Sequence, residues 1–365
     1  MPLGSKKGEA IKSPKVVAPP KVSEASQATP LHVASPRAPI ASSNAPDDKI
    51  TQPAERDADM VKEVGRQAQD SWAGGAILQS SLFAHQGGVI CTHLQGGKIY
   101  SGGRDQSVQV WDVATGQREH KFSGHTSLVR CIKVVRFSMF LIKYLQARGA
   151  NIMSGGDDCR IWSVEEGGDE QKLDEHSHFV SALDCDAHST LVTGSWDKTI
   201  RVWDTRDGSC TATMQGHTSA VLCLQLRNDR LVSGSLGGEL KFWSISSGTC
   251  TATVTASPGC AVSALVWYDR FVICAVDSEL IVIDTATNKK VRSLAGHSDY
   301  ISAVALDPPW ALSTSRDNTM RVWDLNTWTC VRVVSMTGVR ALSVGEGWLV
   351  AGGDDGNLHI WHAAR

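Results

Sequence analysis

Three sets of side chains in this sequence combine an imidazole, a hydroxyl and a carboxylate: His85, Ser101 and Asp105; His176, Thr193 and Asp197; His297, Ser313 and Asp317. A base held against a hydroxyl, with an acid orienting the base, is the arrangement that activates a nucleophile for acyl transfer. That chemistry needs one such site. Here the set recurs, each time closed by a tryptophan: Trp111, Trp203 and Trp323. Buried carboxylates and imidazoles need hydrogen-bond partners, and each set satisfies its own members. The sets therefore read as structural relays, and a hydrolase is the disfavoured reading. His176 with His178, and Cys185 with His188, lack the further ligands of a metal centre, and "GEGWLVAGGDDG" lacks a phosphate-loop lysine. The sequence predicts no catalytic residue, no metal and no cofactor.

The elements that must hold these sets repeat as well. "TLVTGSWDKTIRVWD" at 190–204 returns as "KIYSGGRDQSVQVWD" at 98–112 and "WALSTSRDNTMRVWD" at 310–324. Trp111, Trp162, Trp203, Trp243, Trp323 and Trp361 close the phrases, Ile283 stands where a seventh belongs, and after the first interval the spacing is 38 to 41 residues. Short strands and turns at that period make four-stranded blades. A Gly-His precedes the first strand at Gly124, Gly216 and Gly296, and degenerate versions occur at Ala84-His85 and Glu175-His176. With these motifs the chain resembles the WD-repeat propellers, and the resemblance implies an all-β, seven-bladed β-propeller over residues 71–365. The run at 76–84 precedes the first repeat, and the sequence given stops four residues after Trp361. That run is expected to complete the last blade and seal the ring.

Numbered from Trp111, three blades depart from the pattern. Blade four has Gly237 for the turn aspartate, blade five has Ser257-Pro258 near the histidine position and Ile283 for the tryptophan, and blade seven has Ser335 for the histidine. Apolar packing is expected to hold them instead. Blade two carries "RFSMFLIKYLQAR" at 136–148 between its first and second strands, and its "GGDDCRIW" turn is two residues short. Either the extra residues form an amphipathic docking helix, or they are translated intron sequence, which accounts for two adjacent defects at once.

Nine of twelve prolines fall in the first 53 residues, which contain no aromatic residue. Residues 1–70 are therefore expected to form a disordered tail, with Ser13-Pro14, Thr29-Pro30 and Ser35-Pro36 as phosphorylation sites. An organelle transit peptide is the other reading, against which Glu9 and Glu24 count. A net charge of -2, with 42% hydrophobic and 20% charged residues, gives no basic surface for nucleic acid. No apolar run nears the roughly 20 residues of a membrane span. The expected location is cytoplasm or nucleus, with the ten cysteines as buried reduced thiols.

Recognition is expected on the face where loops surround the central channel. Two positions per blade point there, the residue after the "GHxxxV" block and the residue before the turn aspartate. They place Arg104, Arg130, Arg316 and Arg340 in contiguous blades, with Leu128, Phe179, Trp196 and Tyr300 beside them. Guanidiniums in one sector suit phosphate or clustered carboxylates; pairing with Asp157, Asp354 or backbone carbonyls is the plainer alternative. "DGSC", "SGTC" and "GHTSAVLCLQL" resemble the propellers of F-box/WD-repeat ubiquitin-ligase receptors, where matching arginines grip phosphorylated degrons, although residues 1–70 contain no recognisable F-box. Trp203, Asp204 and Arg206 in "WDTR" resemble the box by which other propellers dock on a cullin-ligase adaptor. A protein-binding scaffold in ubiquitin or signalling assemblies is the expected function, and a scaffold in RNA processing or ribosome assembly is the rival.

Overall fold

The structure, a computed structural model, describes residues 69–70, 76–136, 150–164, 170–186 and 189–363. The described residues contain strands and no helix, so none is long and apolar enough to cross a membrane. Six sheets each run through four consecutive antiparallel strands, as in Val89–Gln95, Lys98–Gly103, Ser107–Asp112 and Arg118–Ser123 of blade one. In the seventh, Val339–Gly345, Trp348–Gly353 and Asn357–Ala363 are completed by Ala76–Phe83 from the other end of the sequence. The seal expected from residues 76–84 is thus present, with Ile77 opposite Ala363 and Phe83 opposite Asn357. The first strand of each blade packs against that of the next, from blade one through blade seven and back. The ring is closed, which leaves no open seam in the sheet stack.

The predicted tail extended to residue 70, but Gln69–Asp70 form a short fifth strand paired with Ile77 and Ala76. The rest of the tail and residues 137–148 of the 136–148 insert in blade two lie outside the described residues. The strands flanking that insert pair directly, Arg136 opposite Ala150, so in sequence the insert falls between the first and second strands of the blade.

Burial follows strand position. Second strands sit between neighbouring blades and are buried on both faces, as in Lys98–Gly103, whereas the outer strand Thr329–Ser335 alternates exposed and half-buried residues. This corrects the expectation for the cysteines. All ten are free, but only Cys91, Cys159, Cys223 and Cys274 are buried, and Cys250 on an outer strand is exposed. Blade five, without its relay, is packed by Ile283, Val272, Cys274 and Ile281, all buried.

Every first strand outside blade two skips one residue in its pairing, as between Val89 and Cys91 or Val339 and Ala341. This bulge lets a side chain reach the next blade. In blades three, five and six the skipped serine donates to the neighbouring blade's carbonyl: Ser181 to Val221, Ser263 to Ile301 at 2.7 Å and Ser302 to Val339 at 3.1 Å. In blades one, two and four a cysteine one residue later does so: Cys91 to Val129, Cys131 to Val180 and Cys223 to Val262, at 3.7, 3.8 and 3.3 Å. Blade seven has Arg340 and Ala341, so no side-chain donor reaches Val89. Ala341→Cys is expected to supply the missing tether and to stabilise the fold by about 0.5–1 kcal/mol, read as a raised urea midpoint with unchanged slope. An unchanged or lowered midpoint would show that the seam gains nothing from it.

Other contacts close this seam. Glu346 accepts from the backbone N–H groups of Gly96 and Gly97 at 2.9 and 3.0 Å, and the Gly356 carbonyl accepts from Ala84 and His85. Gly356 has φ of +85°, and a Cβ there would stand 2.0 Å from the His85 carbonyl oxygen, so the closure requires glycine.

Candidate functional site

The three predicted relays form as read. In blade six, His297 Nδ1 lies 2.8 Å from Asp317, His297 Nε2 lies 2.8 Å from Ser313 Oγ, and Trp323 Nε1 donates to the same hydroxyl at 2.9 Å. His176, Thr193, Asp197 and Trp203 repeat this at 2.7–2.8 Å, and His85, Ser101, Asp105 and Trp111 at 2.8–3.3 Å. Indole N–H only donates and carboxylate only accepts, so the hydroxyl accepts a hydrogen bond from the indole N–H and donates its own O–H to Nε2, while Nδ1–H donates to the acid. The hydroxyl is fully committed and buried. That geometry leaves no nucleophile facing solvent.

Sequence reasoning left two relays unnamed. In blade four, His217 Nε2 lies 2.6 Å from Ser233 and Trp243 donates to that serine at 2.9 Å, but Gly237 supplies no acid. In blade two, His125 and Trp162 meet on Ser154 at 2.7 and 2.8 Å, and the shortened turn brings Asp158, not Asp157, to 2.8 Å from His125 Nδ1. The Gly-His pairs and tryptophans were visible in both blades. Their missing or displaced turn acid concealed them. His125, Asp157 and Asp158 each place one possible ligand atom within 4.8 Å of the others. Arg160 Nε already sits 3.0 Å from both Asp158 oxygens and Thr126 bonds Asp157, so the charge is internally answered.

In these antiparallel sheets the blade-to-blade connections and the turns between second and third strands emerge at one end. The eight predicted recognition residues all lie there. Backbone bonds tie the two positions together within a blade: Trp196 N–H to the Phe179 carbonyl at 3.0 Å and Arg316 N–H to that of Tyr300 at 2.9 Å. Contact across blades is more selective. Arg130 of blade two reaches over blade three, its guanidinium carbon 4.6 Å from the Phe179 ring centroid and 5.5 Å from that of Trp196. His178 stacks on Trp196 at 5.6 Å, and Trp196 remains 38% exposed. Burial pushes the Arg130 guanidinium below its ordinary pKa, and its Nε–H has no hydrogen-bond partner.

Arg104 and Arg340 meet on one acid. Arg340 Nε bonds Asp354, and Arg104 lies 3.8 Å from the same carboxylate, as the plainer alternative foresaw for that pair. Arg316 lies over its own Tyr300, 5.2 Å from the centroid. Leu128 is half-buried beside Arg130 in the chain. Among the described residues, neither Arg130 nor Arg316 has a carboxylate within 4.0 Å.

Of the "WDTR" residues at the opposite end, Trp203 is 1% exposed and spent on Thr193, so it offers a partner no surface. Arg206 folds back on Asp204, with Nε 2.9 Å from Oδ1, and keeps 63% of its side chain exposed.

Six four-stranded sheets and one with a short fifth strand, in a closed ring tied by a repeated His–hydroxyl–Trp relay, define a seven-bladed β-propeller. A family model described as "WD domain, G-beta repeat" matches residues 77–112, 168–204, 208–244, 288–324 and 328–362. The chain belongs to the WD-repeat β-propeller family. The unmatched stretches hold blade two and blade five, the blades with the insert and without the relay, and both nonetheless form complete sheets. Nuclear distribution protein PAC1 of Coccidioides posadasii is 28% identical over 77% of this chain and 67% of its own length. Autophagy-related protein 16 of Arabidopsis thaliana is 22% identical over 78% and 49%, and Cell division control protein 4 of Saccharomyces cerevisiae 30% over 38% and 20%. The chain therefore spans between two thirds and one fifth of these relatives. WD-repeat propellers act as interaction scaffolds and are generally non-catalytic.

Proposed function

We propose that this protein is a non-enzymatic receptor for acidic or phosphorylated peptides, acting in ubiquitin-ligase or signalling complexes. The observation that carries the reading is Arg130, held against Phe179 and Trp196 with its Nε–H unpaired and no carboxylate within 4.0 Å among the described residues. A guanidinium with a fixed plane and unmet N–H groups favours an anion that accepts two hydrogen bonds, and the rings beside it favour an apolar neighbour. Arg104 and Arg340 share one carboxylate, so that pair keeps a net positive charge, and Arg316 adds another at the same end.

The test is binding of a degenerate phosphoserine and phosphothreonine peptide library. Arg130→Glu and Arg340→Glu are each expected to weaken selected peptides at least tenfold, about 1.4 kcal/mol or more. Unchanged affinity in both variants would discard the receptor reading. Purification of the native protein with ribonucleoprotein components, and without ligase subunits, would favour RNA processing instead.

A further inference from the structure

The turn joining the first and second strands of blade four, Arg227-Asn228-Asp229-Arg230, lies at the end of the ring opposite Arg130, and both of its arginines are exposed. Neither has a carboxylate within 4.0 Å among the described residues. Both reach across to blade five instead. Arg227 Nη1 donates to the Asp269 carbonyl at 2.9 Å and Arg230 Nη2 to the Thr285 carbonyl at 3.3 Å. Their guanidinium carbons lie 5.9 and 5.4 Å from the centroid of the Trp267 ring. Arg270 belongs to the same corner: its carbonyl accepts from the N–H and Oγ1 of Thr285, and its side chain, 64% exposed, stands 3.4 Å from Asp284.

Strand pairing shows why the blade-four cations lack acids. Blade one sets Lys98 opposite Asp112, which lies 2.8 Å from the ammonium, whereas blade four sets Arg230 opposite Ser244. The aspartate that ends the third strand in blades one, three, five and six, at Asp112, Asp204, Asp284 and Asp324, is absent there. Asp229 takes over its local duty. Its carboxylate accepts from Ser244 Oγ at 2.8 Å and the Ser246 N–H at 2.7 Å, as Asp112 accepts from the N–H groups of Ala114 and Thr115. We propose that this corner is a docking site for a carboxylate-rich segment of a protein partner, independent of the peptide site at the other end. A guanidinium already lying over a ring and bonded to a carbonyl has given up much of its rotamer freedom, so a partner pays little to order it. Its remaining N–H groups suit the paired oxygens of aspartate or glutamate. Arg227 and Arg230 are anchored to carbonyls of two different turns, which favours spaced carboxylates over a single phosphate.

The probe is N-terminally labelled hexaglutamate, read by anisotropy on the full chain carrying Arg130→Glu and Arg340→Glu, which remove cations from the other end. Binding is expected to be salt-sensitive and to weaken at least about tenfold on adding Arg227→Gln/Arg230→Gln. Lys121→Gln/Lys198→Gln, which removes the same charge elsewhere, is expected to leave affinity within about twofold. Asp229→Gly/Ser244→Asp keeps the net charge and both arginines but gives Arg230 the partner that Lys98 has in blade one. It is expected to weaken binding at least about threefold, and it carries the test if loss of both arginines prevents folding. Absence of binding, equal weakening by the two glutamine pairs, or no effect of Asp229→Gly/Ser244→Asp would overturn the site. Displacement by inorganic phosphate where acetate at equal ionic strength fails would overturn the carboxylate partner.

Discussion

A Trp323→Ala protein is expected to be less stable than wild type by about 3–5 kcal/mol, the cost of emptying a large aromatic site from a packed core. Trp323 is 2% exposed and packs with Ile273, Leu280, Val282, Ile301 and Ala311, so it joins blade five to blade six. Its loss also frees Ser313 Oγ from the indole donor and removes the wall against which His297 lies. Blade five lacks a relay of its own and leans on this contact, so the damage reaches two blades. Urea unfolding at neutral pH measures the effect. Trp323→Phe, which keeps apolar volume but not the indole N–H, should recover much of the difference; a loss below about 1 kcal/mol for Trp323→Ala would mean that the relay tryptophan is not a keystone of its blade.

Mild acid is expected to destabilise the protein well before its carboxylates titrate. Burial, with Lys241 nearby, pushes His217 down to about 4, and burial with Lys133 nearby pushes His93 down to about 3. His217 has no turn acid to offset this, since Glu239 stands 4.0 Å away. Burial also lowers His176 and His297, against the pull of Asp197 and Asp317. The unfolded chain, with histidines near 6.5, takes up protons first, so stability is fullest above pH 6.5 and falls as pH drops toward 4. His217 and His93 each contribute on the order of 3 kcal/mol to this fall. Below pH 4 a second loss begins. Against the penalty of burial, His125 and Arg160 hold Asp158 near 2, and Thr319 and His297 hold Asp317 near 2, so their stabilisation is present above the ordinary carboxylate range and disappears as pH approaches 2. Melting curves from pH 7.5 to 4.5 should fall on the order of 10 °C in wild type and clearly less in His217→Gln/His93→Gln, where only the smaller contributions of His176 and His297 remain. Parallel slopes in the two proteins would assign the acid sensitivity elsewhere.

The legible part of the site was its placement. Arg130 and Trp196 were assigned to one end because each occupies a fixed position relative to a repeated Gly-His or turn aspartate, and the antiparallel order of strands sends those positions the same way. Their partners were not legible. Arg104 and Asp354 are 250 positions apart and meet only across the closing seam, and Arg130 leaves its own blade for the rings of the next. The tethers also escaped notice: a serine in blades three, five and six does the work of a cysteine one residue later in blades one, two and four, so no single position repeats. That exchange frees the skipped residue in blades one and four, and arginine stands at the corresponding position of blades two and seven, Arg130 and Arg340.

By itself the sequence determined the number of blades, their period, the relay chemistry and the strand that closes the ring. Each of these is written locally, in alternation, turn residues and donors matched to acceptors within one repeat. Tertiary structure alone decided which arginines are neutralised and which is left on an aromatic platform. Those outcomes depend on distances between side chains of different blades, and only closure of the ring fixes them.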